Sequence, residues 1–319
     1  MSVERLDELE AHLRRYDPAV WRATIDGLRS ELHEVDRDAT AIWFSFFPLE
    51  LHLALEAAED KAALAHKLGL MGNWTLATQV DSSHRFLYAH RSWPQIKAAI
   101  TSLEAPPAEL RALIEHVADT AGRRARADRD RLLGISAVGL MTLRQAGAAA
   151  FAAAPGRIHV SDATAARTIS QVLSRRAKDD WQGVFGFLRG LKKRWTITFD
   201  ENDPAATFTL IHGQEVATAA QSDKREYRSR DPRCIPDEGP IPVECRAASC
   251  GTCWVGVIGG ADKLSPVETR EEGKRMKVFG YVDTADPKPL IRLACQATAS
   301  GAVSVVIPPW NGMIGTIRR

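Results

Sequence analysis

Glu244-Cys245-Arg246-Ala247-Ala248-Ser249-Cys250-Gly251-Thr252-Cys253 packs three thiols into a C-x4-C-x2-C run, and Cys295 supplies a fourth farther along the chain. Four thiolates of one chain form the donor set of an iron–sulfur cluster or of a structural zinc ion. The residues between them are small, so backbone amides can approach the sulfur atoms, and Gly251 has no Cβ to obstruct that approach.

The spacing separates the candidate centres. Three clustered cysteines with a distant fourth is the plant-type arrangement for a [2Fe–2S] cluster. Zinc ribbons place two close pairs, whereas here only Cys250 and Cys253 form one. A Rieske centre needs two histidines, and none follows His212. The compact cysteine run of a [4Fe–4S] ferredoxin is absent. Cys234 is left over and reads as a bystander outside the ligand set.

At 319 residues the chain can bury two separate cores. Its formal charge of +2 argues against a dominant basic face for nucleic acid. From Arg194 onward sixteen Lys and Arg stand against sixteen Asp and Glu, so the cysteine-bearing part is close to neutral. The first residues alternate charge and lack the apolar core of an export signal. Leu132 to Leu143 is the most apolar stretch and falls short of the roughly 20 residues a bilayer span needs, so a buried core helix is expected. No transmembrane segment is therefore expected, while peripheral membrane association stays open. Cysteines in a chain without an export signal read as reduced thiols or metal ligands, which suits the cytoplasm.

The first 192 residues read as helical. Val3, Leu6, Leu9 and Leu13 recur at helical spacing, and Asp17-Pro18 suits the cap and first turn of a second helix bearing Trp21, Ile25, Leu28, Leu32 and Val35. Leu49 to Leu68 suggests a further helix or helix pair, Trp74 to Leu87 is ambiguous, and Pro94 and Pro106-Pro107 read as helix entries. Long helices are expected over 108–133, 140–153 and 163–192. At Arg194 the pattern changes: Trp195 to Phe199 and Ala206 to Ile211 are rich in β-branched and aromatic residues and predict a hairpin. The domains expected are 1–192, all helical, and 193–319.

From Trp195 onward the chain resembles the plant-type [2Fe–2S] ferredoxins of β-grasp fold. The resemblance is carried by the opening hairpin, Cys245-x4-Cys250-Gly251-Thr252-Cys253, Leu264-Ser265-Pro266, Leu293-Ala294-Cys295-Gln296 and the closing run Val303 to Pro308. It implies an α+β chain and one-electron transfer through a [2Fe–2S] cluster. It also implies that Cys245 and Cys250 bind the outer iron while Cys253 and Cys295 bind the inner one. Potentials near about −400 mV are typical of the family. Two stretches are longer than in a compact member: Ser222 to Cys234, and Asp262 to Pro289 with its charged run from Glu268 to Lys277. Both flank the cluster and bear on the partner surface. Free ferredoxins serving many partners tend to be acidic, so a neutral domain points to a fixed partner.

No glycine-rich nucleotide motif and no haem-attachment motif occurs. His52, His66, His84 and His90 lack the Glu-x-x-His pairing of a di-iron bundle and read as ordinary core or surface residues. The run from Arg123 to Arg131, interleaved with Asp119, Asp128 and Asp130, reads as an ion-paired helix face, with docking of an acidic partner or phosphate as its alternative. Ile42 to Pro48 is a dense aromatic cluster that reads as core. Trp254 reads as a strand residue shielding the cluster, with a contact that shortens the electron path to a partner as its alternative, and Trp310 as an anchor for the tail across the two domains or onto another subunit. The expected function is electron transfer without catalytic residues, as a subunit docked through its helical domain on a larger redox complex such as a hydrogenase or dehydrogenase. The alternatives are an enzyme with an undetected cofactor in the helical domain, and a redox-sensing interaction protein.

Overall fold

The computed structural model describes residues 3–158, 160–183, 192–267, 270–279 and 289–313. In chain order come α1 (Val3–Leu13), α2 (Pro18–Leu28), α3 (Glu34–Phe46), α4 (Leu49–Ala57), α5 (Lys61–Lys67) and β1 (Met71–Gly72). Next are α6 (Trp93–Thr101), α7 (Leu110–Ala125), α8 (Arg129–Ala146), α9 (Ala148–Ala153), α10 (Asp162–Ala165) and α11 (Ile169–Arg175). The cysteine-bearing part holds β2 (Arg194–Thr198), β3 (Thr207–Ile211), α12 (Val216–Ala220), β4 (Trp254–Gly259), α13 (Arg270–Phe279), β5 (Ile291–Leu293), β6 (Val303–Val306) and β7 (Trp310–Asn311). The chain is thus α+β, helical first and sheet-bearing after.

It divides into two compact units: Met1–His52 with Thr75–Ile169, and Leu53–Trp74 with Ser170–Arg319. The first is built around α8, in which every residue from Leu132 to Arg144 is buried. A helix apolar on all sides must be enclosed by others, and α8 packs against α3, α6 and α7. The expected cap is present, Asp17 accepting from Val20 N at 2.9 Å. The aromatic cluster is core, with Ile42, Trp43 and Phe46 fully buried.

Three helical expectations are corrected. The stripe from Trp21 to Val35 is not one helix: α2 ends at Leu28, and α3 starts anew after His33, whose Nδ1 accepts from Val35 N. The expected helix 108–133 breaks at Arg126, which takes φ 54° while Ala127 N donates back to Gly122 O. That is a left-handed helix ending, and Gly122 permits it because a Cβ there would overlap the Ala127 carbonyl. The chain then restarts as α8, which carries the expected buried stretch Leu132 to Leu143 whole instead of dividing it between helices ending at 133 and starting at 140. Of the expected helix 163–192, the described residues form only the short α10 and α11, and 184–191 lie outside them.

The second unit carries a five-stranded mixed sheet in the order β3-β2-β6-β4-β5. The predicted hairpin is present, with Trp195 opposite Leu210 and Ile197 opposite Phe208. Those four side chains are buried and their neighbours less so, which is the alternation of a strand pair covered on one face. β6 runs parallel to β2 and antiparallel to β4, and both β4 and β6 are buried almost throughout, as central strands are. A separate two-stranded piece pairs Met71 with Asn311 and Gly72 with Trp310. Trp310, fully buried, therefore fixes the tail inside this unit.

Candidate iron–sulfur cluster site

The ligand loop lies between α12 and β4. Arg246 (φ 52°), Ala248 (φ 57°) and Gly251 (φ 71°) all take left-handed backbone conformations. Such bends are uncommon for residues with a Cβ and cost of order 1–3 kcal/mol each. Their effect is to turn amides inward. Ala247 N, Ser249 N and Cys250 N converge on Cys245 Sγ at 3.5, 3.3 and 3.3 Å. Thr252 donates to Cys250 Sγ from its amide at 3.5 Å and from its hydroxyl at 3.2 Å. Cys253 and Cys295 come from the sheet side, at the start of β4 and just past β5, and are joined by Ala294 N donating to Cys253 O at 3.0 Å. Gln296 Nε2 reaches Cys295 Sγ at 3.6 Å.

The four sulfurs interact electrostatically. Burial would raise the Cys245 thiol, yet the hydrogen bonds from Ser249, Ala247 and Cys250 hold it at about 6. Cys253 and Cys295 share a hydrogen bond that lowers Cys295 to about 7 and, with burial, drives Cys253 well upward. Cys295 also receives the Ala248 amide and feels Cys245, so the loop and the sheet-side thiols form one group. Access is uneven: Cys253 and Cys295 are 2% and 1% exposed, while Cys245 and Cys250 are half-buried. Among the described residues no three His, Cys, Asp or Glu side chains are placed to share a single metal ion.

The loop is braced from outside. Arg246 reaches Gln221 Oε1 at 2.7 Å and Glu238 at 3.1 Å. Val216 N and Ala217 N of α12 donate to the carbonyls of Ala297 and Ala294, which flank Cys295. A Cβ on Gly251 would overlap the ring of Phe279, so α13 lies directly on the loop. The same ring meets Trp254 edge-on at 5.6 Å. Trp254 is fully buried, in line with its expected shielding role.

Sequence reading missed how α13 is held. Glu272, one of the charged run expected to bear on the partner surface, is 1% exposed and clamps Arg292 of β5 with two hydrogen bonds of 3.0 Å. Glu272 also accepts from Leu293 N, and Arg292 donates to Ser265 O at 2.7 Å. The glutamate–arginine pair thus ties α13 to the strand that delivers Cys295. Residues 280–288 of the longer stretch lie outside the described residues.

The remaining cysteine, Cys234, is buried, and burial together with Asp231 raises its thiol to about 12. Its Sγ faces Pro240 O at 3.5 Å. In the helical unit, His84 and His90 are buried with their Nδ1 atoms 2.9 Å apart, and His84 packs on Trp93 at 4.1 Å between ring centroids. Arg129 binds Asp119 through Nε and Nη2 at 2.6 and 2.5 Å, as an ion-paired face should. No helix among the described residues is long and apolar enough to cross a membrane.

Residues 237–300, which contain all four clustered thiols, match the family described as the 2Fe-2S iron-sulfur cluster binding domain. This segment is a [2Fe–2S] ferredoxin domain, carried C-terminal to a helical region, and its coarse function is electron transfer through that cluster. Neither a curated protein nor a solved structure matches the chain.

Proposed function

We propose that Cys245, Cys250, Cys253 and Cys295 hold the [2Fe–2S] cluster, and that the chain is an electron-transfer subunit of a larger redox complex such as a hydrogenase or dehydrogenase. The carrying observation is the convergence of three amides on Cys245 Sγ, beside two thiols sealed behind the sheet. Bound there, the cluster takes up and returns one electron. The chain's own contribution is electrostatic and steric. Donors on Cys245 and Cys250 offset negative charge on sulfur and so favour the reduced form, while Trp254 and Phe279 keep water from the sheet side. The half-buried pair faces the side from which a partner approaches.

The electron-carrier reading assigns no catalytic residue. The functional division is 1–192 for docking and 193–319 for the cluster, because the sheet opens at Arg194. Near-neutral charge in the cluster domain suits a partner held in place better than one met by long-range steering. Five free cysteines without a disulfide suit the cytoplasm. Affinity purification of the tagged protein from its native cell is expected to recover stoichiometric redox subunits with it. Recovery of the chain alone, with its cluster intact, would contradict the complex and leave a free carrier.

A further inference from the structure

Trp181 is 84% exposed, whereas the other seven of the chain's eight tryptophans are buried or half-buried. A tryptophan left in water forgoes the apolar burial that its large ring is suited to. The chain on either side of it is pinned. Asp180 accepts from the amide of Thr196 and, at 3.0 Å, from its hydroxyl. Gln182 donates to Arg194 O at 2.6 Å and accepts from Arg194 N at 3.1 Å. Just upstream, Asp179 accepts from Ala302 N at 2.9 Å and pairs with Lys263 at 2.7 Å. Residues 179–182 thus lie beside the opening of β2, ahead of Ile197, where β6 joins it. Trp181 is held out to solvent between two fixed neighbours.

The same contacts place cations around it. Arg194, bonded to Gln182, stands opposite Ile211 in the β2–β3 pair, so their side chains share a face. Both are exposed, Ile211 at 46%. Lys193 O accepts from His212 N at 2.9 Å, and Lys178 and Lys192 are exposed on the adjoining chain. The carboxylates nearby are engaged elsewhere: Asp179 by Lys263, Asp180 by Thr196 and Glu201 by Arg176. Among the described residues Lys178, Lys192, Lys193 and Arg194 make no ion pair. An exposed indole and an exposed isoleucine are therefore set among four uncompensated cations.

We infer that the surface around Trp181, with Ile211, Lys178, Lys192, Lys193 and Arg194, seats the chain peripherally on an anionic lipid surface. An indole favours the headgroup level of a bilayer, and lysines and arginines beside it are drawn to anionic lipids. Like charge disfavours a second copy of the chain at the same face. A specific protein interface buries roughly 800 Å² per partner around closely packed anchors. Two apolar side chains among solvated cations suit a headgroup layer better, because lipids conform to whatever enters them. This inference goes beyond the electron-transfer reading and does not rest on it.

The test measures cosedimentation of the cluster-loaded full-length protein with vesicles of phosphatidylcholine alone or mixed with phosphatidylglycerol. W181A and K192E/R194E are compared with K61E/K67E, which reverses two exposed lysines of α5. Wild type and K61E/K67E should bind the phosphatidylglycerol vesicles alike, more weakly as salt is added, and leave phosphatidylcholine vesicles free. W181A should bind about tenfold more weakly, and K192E/R194E at least about tenfold more weakly. Brominated lipid should quench tryptophan fluorescence in wild type and much less in W181A. Equal loss of binding in K61E/K67E would overturn the inference, as would unchanged binding in W181A and K192E/R194E. Binding of poly-L-glutamate without binding of vesicles would assign the face to an acidic protein and also overturn it. So would a dimer that W181A separates. Loss of the paramagnetic centre with vesicle binding intact would remove the electron-transfer reading alone, whereas an intact centre without vesicle binding would sink this inference alone.

Discussion

The two sides of the proposed ligand set are built on opposite principles. Cys253 and Cys295 leave strands that are hydrogen-bonded to each other, and are 2% and 1% exposed. Cys245 and Cys250 sit on a loop that bends three times into the left-handed region and remain half-buried. On the sheet side, rigidity follows from burial and strand pairing. On the loop side, amides donated to sulfur and the outer braces of Arg246 and Phe279 offset the backbone strain. A cluster held by these four thiols, as proposed, would be anchored where the protein is driest, with its two more exposed thiols on the loop side.

The sharpest test of this asymmetry substitutes one thiol from each side. C295S should abolish the bound centre, because the sheet places that ligand where no other group can substitute. C245S should retain a labile centre, seen as a visible spectrum that bleaches faster in air. Equal loss from both would break the comparison. Next in size is the interior ion pair. E272A strands Arg292 without its partner and should cost about 3–5 kcal/mol in urea unfolding. The apolar double variant E272M/R292L should recover most of that, since the desolvated pair itself contributes little net stability.

A smaller effect is expected at the brace. G251A brings a Cβ into the Phe279 ring and onto a left-handed residue, for a loss of about 1–3 kcal/mol. Made in an F279A background, where the ring is gone, the same G251A change should cost only its backbone part, although F279A itself destabilises by opening a cavity. Smallest is T252V, which removes the hydroxyl whose single proton Cys250 Sγ at 3.2 Å and Glu244 Oε2 at 3.1 Å share. It should lower stability by about 1 kcal/mol and make the reduction potential more negative, because one donor to sulfur is lost. A potential that rises would contradict the electrostatic role given to the loop.

Much of this was legible in the chain because it is local. The C-x4-C-x2-C run identifies its own chemistry, and the hairpin from Arg194 to Ile211 shows alternating burial between strands only a short turn apart. What stayed hidden depends on distant partners. Glu272 looks like any other charge in a polar run until Arg292 meets it across the fold. Met71 and Gly72 carry no strand pattern, and become β1 only because the tail at Trp310 pairs with them. The break at Arg126 has no cue of its own either, since the glycine that permits it lies four residues earlier, inside the helix.

The most direct test of the central claim is electron paramagnetic resonance of the anaerobically purified protein before and after one-electron reduction with dithionite. A silent oxidised state that gains a rhombic signal, at one spin per chain and with two irons per chain by elemental analysis, is the predicted result. A protein that stays silent and holds zinc at the four cysteines would contradict it.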